Sequence, residues 1–196
     1  MAKFNTRYMA KIAVMGVLSF LIMLIEVPLW FTPEFLKMDL SDLPAIVGAM
    51  ALGPLAGILI ELLKVFLKLV TVGTTTAGVG ELANFVVGSV FSVTAALVYR
   101  SSRRRRGIIA GLAVGTLVMA VLASVINYTV LLPFYSKAYG LKMTGIISQA
   151  KAVNPYVVDL RSFITFGIFP FNLFKGIVIS VISYPVYIRL RKIIEV

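Results

Sequence analysis

Six apolar stretches, separated only by short polar, glycine or proline breaks, fill most of this sequence and decide which solvent it can fold in. They lie at residues 8–26, 44–52, 54–70, 81–99, 107–132 and 160–190. They make the 196-residue chain 60% hydrophobic, with a mean hydropathy of +0.99. A water-soluble domain of that length has too little interior to hide so much apolar surface, whereas a bilayer dissolves it. Each span takes roughly 20 apolar residues, so six spans use most of the chain and leave short loops. The expected fold class is all-α and integral to the membrane, with six transmembrane helices in a single domain over residues 1–196. The second helix is short, because 44–52 cannot span upright before the Gly53-Pro54 turn. Pro54 can open the third helix, Pro28 helps to end the first, the fifth stops near Pro133, and the sixth contains Pro170. The loops expected are 29–43, 71–80, 100–106 and 136–158. No internal repeat of useful strength is present, so an inverted-repeat transporter is not supported.

Lys3, Arg7 and Lys11 before an apolar run give the N-terminus the outline of a signal peptide. Glu26-Val27-Pro28-Leu29-Trp30 offers no small-residue cleavage site, so the run is read as the first membrane helix. With six spans, both termini and the turns at 53–54 and 100–106 share one side. That side holds Lys3, Arg7, Lys11, Arg100, Arg103, Arg104, Arg105, Arg106, Arg189, Arg191 and Lys192, eleven of the nineteen basic residues. The positive-inside rule makes it cytoplasmic. The same asymmetry accounts for the net charge of +11 as a topology signal, and no nucleic-acid partner is expected.

Cysteine and histidine are both absent. Disulfides, thiolate metal sites and cysteine nucleophiles are thereby excluded, together with the commonest general base. No G-x-x-x-x-G-K-[ST] occurs, so the chain holds no P-loop for ATP. The glycine-rich stretch 73–80 lacks the lysine and is read as an outer loop or gate.

Polar groups inside a membrane are costly, so their depth is informative. At ~1.5 Å of rise per residue, Lys175 stands roughly 21 Å above Arg189, and Asn172 roughly 25 Å. Asn127 lies about 30 Å past Gly107, and Asn84 about 24 Å above Arg100, with Glu81 one turn higher. Lys64 and Lys68 occupy the outer half of the third helix. The opposite halves contain almost only apolar and small residues. One polar level is the pattern of a pocket open to one side; a channel or relay would carry polar groups along its whole length. An asparagine offers both donor and acceptor and can read the alternating carbonyl and N–H edge of a planar heterocycle. Asn172 and Lys175 share a helix face. Phe166, Phe169, Phe171, Phe174, Tyr128, Phe85 and Trp30 can enclose a ring.

Each candidate has a structural reading beside the ligand reading. Asn84 alone can bridge helices, Lys68 can snorkel to the outer interface, and Lys64 can pair with Glu61 one turn away. Tyr8, Tyr99 and Tyr187 fit the aromatic belt. Lys175 has no acidic neighbour within reach on its own helix, which favours a ligand role. Glu81 and Lys175 are the only nearby acid–base candidates, and no motif frames them, so an enzyme is not expected.

Four stretches carry a family likeness: Lys37-Met38-Asp39-Leu40-Ser41-Asp42-Leu43-Pro44, Gly80-Glu81-Leu82-Ala83-Asn84-Phe85, Asn127-Tyr128 with Leu132-Pro133-Phe134-Tyr135, and Asn172-Leu173-Phe174-Lys175-Gly176. The pattern resembles the riboflavin-specific substrate-binding S-component of energy-coupling factor (ECF) importers, along essentially the whole chain. The resemblance implies a multi-pass protein of the bacterial plasma membrane that captures riboflavin from outside, under the first loop. Riboflavin is then a transported ligand and no cofactor is implied. Asn127, Asn172 and Lys175 match the positions that bond the flavin ring, and Asn84, Glu81, Lys64, Leu40, Asp42 and Tyr128 complete the expected substrate-binding set. The implied partners are a transmembrane coupling subunit and two cytoplasmic ATPases. Docking to the coupling subunit uses small residues of the first helix, here Ala10, Ala13 and Gly16, although their spacing departs from A-x-x-x-A. An S-component for another vitamin such as thiamine is the alternative; its cationic ring would favour an acidic partner over Lys175.

Overall fold

The computed structural model describes residues 5–102, 104–138, 140 and 142–194; Lys3 and Arg103 of the basic count lie outside them. The described residues are mostly helical: α1 (Thr6–Met23), α2 (Asp42–Leu52), α3 (Pro54–Thr71), α4 (Val79–Ser102), α5 (Arg105–Ala138), α6 (Met143–Val153) and α7 (Leu160–Ile194). A small antiparallel pair, β1 (Val27–Pro28) on β2 (Lys37–Met38), folds the loop after α1 back on itself. Among the described residues, four helices, α1, α4, α5 and α7, are long and apolar enough to cross a membrane. The 18-residue α3 carries Glu61, Lys64 and Lys68 along its length, and α2 is only 11 residues long.

Apolar and charged residues have exchanged the places they take in a soluble protein. Val14, Ile25, Phe66, Val70, Val181 and Ile193 are all more than half exposed, whereas Glu61 and Lys64 are 0% exposed. Such a surface is stable against lipid, and the charges stay inside because there they find one another.

The short α2 is the hub. It packs against α1, α3, α4 and α7, and Asp42 and residues 44–50 are all buried. It can be enclosed because its residues are small or slim and its neighbours supply glycines. Gly57 of α3 approaches Ala49 so closely that a Cβ there would lie 2.7 Å from the alanine methyl. Gly53 ends α2 at φ 120°, a conformation that favours glycine, and Pro54 starts α3. The Arg100 side chain lies over that turn. At the same end, Lys11 Nζ donates to Ile194 O at 2.8 Å, tying the start of α1 to the end of α7.

Three expectations need correction. The helix starting near 107 does not stop at Pro133. Proline has no N–H and its ring crowds the carbonyl four residues back, but a π-helical turn at Asn127–Leu131 absorbs both problems. There the Leu132 N–H donates to Asn127 O, five residues back, and α5 runs on to Ala138. A second π turn, Ile164–Ile168, performs the same service before Pro170 in α7. Pro170 cannot donate to Phe166 O, and Asn154 Nδ2 donates to that carbonyl at 3.0 Å. The stretch 136–158, expected as loop, contains α6. Ile146 and Ala150 on one α6 face are buried against Leu132, Val157, Phe163 and Ile168. The basic turn at 100–106 is also shorter, because α4 reaches Ser102 and α5 begins at Arg105.

Candidate functional site

The end of the bundle away from the chain termini encloses two adjoining cavities. The larger, about 700 Å³, lies among the loop before β2, the loop after α3, and the facing ends of α4, α5, α6 and α7. The smaller, about 160 Å³, shares Lys37, Gly80, Asn84, Asn127, Leu131, Phe171 and Asn172 with it and adds Asp39, Asp42 and Lys175. One asparagine from each of α4, α5 and α7 therefore stands where the two spaces meet. The larger volume falls within the usual range for small-molecule sites.

The π turns place two of these amides. Asn127 opens the first π turn and donates from Nδ2 to Ala123 O at 2.8 Å. Asn172 follows the second and donates from Nδ2 to Ile168 O at 2.9 Å. Each side chain is thus steadied by its own helix, with its Oδ1 and a second N–H still able to meet a ligand. Asn84 Oδ1 is buried and has no hydrogen-bond partner among the described residues. A buried amide oxygen without a partner is costly, and a ligand donor would satisfy it.

Beneath the amides lies a buried charge network drawn from three parts of the chain. Lys175 Nζ on α7 donates to Asp39 Oδ2 at 3.0 Å and stands 3.4 Å from Asp42 Oδ2. Lys64 Nζ on α3 donates to Asp42 Oδ1 at 2.8 Å and to Ser41 Oγ at 3.2 Å, and lies 2.6 Å from Glu61 Oε2. Glu61 and Lys64, one turn apart on α3, thus form a fully buried salt bridge. Asp39 Oδ1 also accepts from the Ser41 N–H at 2.8 Å and from the Ser41 hydroxyl. Ser19 of α1 donates to Ser41 O at 2.8 Å. Burial opposes the charge on Asp39, but Lys175, Lys64 and the Ser41 bonds outweigh it and hold the carboxyl below the usual aspartate range.

Of the residues singled out from the sequence, Asn84, Asn127, Asn172, Asp42 and Lys175 line the cavities. Four expected contacts do not line either space. Lys64 is sealed into the network. Glu81 Oε2 accepts from Thr74 at 2.9 Å and Thr76 at 2.5 Å, with Lys68 Nζ 3.8 Å from Oε1, so it fastens the loop after α3 to α4. Leu40 packs against the α2 core. Tyr128 is 40% exposed, because the residue after Asn127 falls on another face of the helix. Of the expected aromatic enclosure, Phe171 lines both spaces. Phe174 instead meets Phe31 and Trp30 edge to face. Of the small residues on α1, Ala10 and Ala13 are exposed, whereas Gly16 is buried against α3. A Cβ at Gly16 would stand 2.5 Å from Leu63 Cδ2, so this glycine serves packing within the chain.

Several wall residues escaped the sequence reading, among them Phe35, Thr75, Thr76, Tyr135, Lys142 just before α6, and the α6 stripe Gly145, Ile146 and Gln149. That stripe has helical spacing, the one local signal available for α6.

Over residues 7–187 the chain matches the family described as ECF transporter, substrate-specific component. It is 33% identical to the riboflavin transporter FmnP of Bacillus subtilis (strain 168), over 97% of this chain and 95% of that protein. It is 35% identical to the riboflavin transporter RibU of Staphylococcus aureus (strain TCH60), over 97% and 94% of the two chains. A solved structure described as "Structure and mechanism of the S component of a bacterial ECF transporter" superposes with a TM-score of 0.73 at 31% identity. The match covers 96% of this chain and 98% of that one.

Proposed function

Because this chain belongs to the substrate-specific components of ECF transporters, we propose that it captures riboflavin in the larger cavity and delivers it inward with its energised partners. It is a multi-pass membrane protein and not an enzyme. Its partners are the transmembrane coupling unit and the ATPases of the ECF module. The observation that carries the ligand assignment is the meeting of Asn84, Asn127 and Asn172 around one space. Three amides from three helices can match the mixed donor and acceptor edge of the flavin ring, and Phe171 can lie against its face. Lys175, 8% exposed, borders the smaller cavity beneath them and can offer a remaining N–H to a ring carbonyl.

In this reading α2 and α3 join the four long apolar helices to make six membrane-spanning helices, α2 spanning only in company. Both termini are cytoplasmic. The support is the Lys11–Ile194 contact, which joins the two ends of the chain, and Arg100 over the Gly53 turn, which gathers the basic residues there. The cavity then opens outward.

Purified protein should carry a yellow chromophore with flavin absorption, or quench riboflavin fluorescence stoichiometrically once stripped. Colourless protein that leaves added riboflavin fluorescence unchanged would sink the assignment.

A further inference from the structure

On the outer surface of the bundle, α5 and α7 leave an open groove of about 570 Å³. Its α5 wall is Ile109, Leu112, Ala113, Thr116 and Leu117, and its α7 wall runs from Leu173 to Tyr184. The Thr116 and Ser180 hydroxyls, 3.0 Å apart, join the walls, so the groove presents little but hydrocarbon. Gly176 lets the helices close up there, since a Cβ on it would lie 2.7 Å from Thr116 Cγ2.

Both walls continue along their helices to arginines. On α5 the stripe 109, 112, 113, 116, 117 extends back by three and four residues to Arg106 and Arg105. On α7 the stripe through 177, 180 and 184 extends forward by seven to Arg191. The helices are antiparallel, and Arg105 and Arg191 are each eleven residues from the Thr116–Ser180 bond. All three arginines therefore lie near one level, roughly 16 Å along the bundle from that bond. None of them pairs with a carboxylate among the described residues. Counted from the arginine level, the α5 wall runs from about 6 to 18 Å and the α7 wall from about 10 to 27 Å, so an acyl chain anchored there enters the trough before the middle of a ~30 Å hydrocarbon core.

We propose that this groove is a binding site for one anionic phospholipid from the leaflet at the arginine end. An acyl chain lies along the α5–α7 groove, and the phosphate headgroup meets Arg105, Arg106 and Arg191. Charge selects the occupant: the trough is lined almost wholly by hydrocarbon, and both of its walls lead to cations at headgroup level. The site is independent of the vitamin cavity and of which side of the membrane is cytoplasmic.

The full chain, released from membranes into mild detergent, is offered phosphatidylglycerol and phosphatidylcholine of identical chains, and lipid retention is read by native mass spectrometry. One phosphatidylglycerol should be kept about tenfold or more over phosphatidylcholine. The triple variant R105Q/R106Q/R191Q should erase the preference, each arginine contributing about fivefold. Ala113→Phe, which fills the exposed floor of the groove, should abolish retention of both lipids. Cooperative thermal unfolding serves as the folding check for each variant. Equal retention of the two lipids by the natural chain overturns the proposal. So does a preference that survives the triple variant, or a dimer that forms through this face without lipid. Should a variant fail to fold, a phosphatidylglycerol with a photoreactive acyl chain is used on the natural sequence. Crosslinks should fall on residues 109–117 and 173–184, and crosslinks elsewhere overturn the proposal.

Discussion

Lys175 Nζ donates to Asp39 Oδ2 at 3.0 Å across 136 residues of sequence, and this bond fastens the loop after β2 to the helix that lines the site. The same lysine stands 3.4 Å from Asp42. It therefore has two partners before any ligand arrives, and it organises the site besides bordering it. Replacing it leaves two buried carboxylates short of a counter-charge. Lys175→Ala should destabilise the fold by about 3 kcal/mol and weaken riboflavin binding. Asp39→Asn should weaken binding less, because it leaves the lysine with Asp42. Thermal unfolding and fluorescence titration of the two single variants and the double variant measure the coupling; strict additivity would mean that the two groups act independently.

The Asp39 carboxyl also sets a pH dependence. Its folded-state pKa lies below that of the unfolded chain. Its stabilising effect is therefore fully present above the ordinary aspartate value of about 3.9 and is lost as pH falls below it toward the folded value. The melting temperature should decline on acidification through that region, and Asp39→Asn should decline less. An equal slope in both proteins would remove Asp39 from the account.

The amides should separate cleanly from their neighbour. Asn127→Ala and Asn172→Ala each delete a donor and an acceptor beside the cavity and should cost about tenfold or more in riboflavin affinity. Tyr128→Ala, on the adjacent but outward face, should change affinity less than about twofold. Isothermal titration in detergent tests all three, and a large loss at Tyr128 would place the ligand elsewhere.

Gly88 of α4 is where the buried Glu61 carboxyl rests. A Cβ there would stand 2.6 Å from Glu61 Oε2 and 2.7 Å from its Cδ. Gly88→Ala should therefore cost about 1–3 kcal/mol, as overpacking does. In a Glu61→Ala background the same change should cost much less, a non-additivity that denaturation of the four proteins would reveal.

The π turn before Pro133 makes its own prediction. Pro133→Ala restores an N–H and removes the ring clash, which lets α5 regain an ordinary α register and rotates Asn127 relative to the cavity. Stability should hold or rise while riboflavin affinity falls. Unchanged affinity would show that the π turn does not position the amide.

The membrane class, the short α2 and the polar level near one end were legible because each depends on local composition. Runs of about 20 apolar residues need lipid wherever they fold, and Gly53-Pro54 stops a helix by its own backbone chemistry. The Glu61–Lys64 pair was legible for the same reason, being one turn apart on α3. The run through Pro133 was not, because a π turn has no compositional mark. The burial of α6 was not, because it depends on Val157, Phe163 and Ile168 arriving from further along the chain.

Lys175 shows the division most plainly. Its sequence placed an ionisable group inside an apolar helix without an acidic neighbour on that helix, which is enough to mark it as costly and purposeful. Only the tertiary structure revealed that Asp39 and Asp42 receive it, and that Glu81 holds a loop while the Asn84 oxygen is unsatisfied among the described residues. The physical reason is range. Solvent preference and helix stops are properties of a residue and its few neighbours in the chain. Pairing a buried charge depends on distances of a few ångströms between segments far apart in sequence, and packing alone sets those.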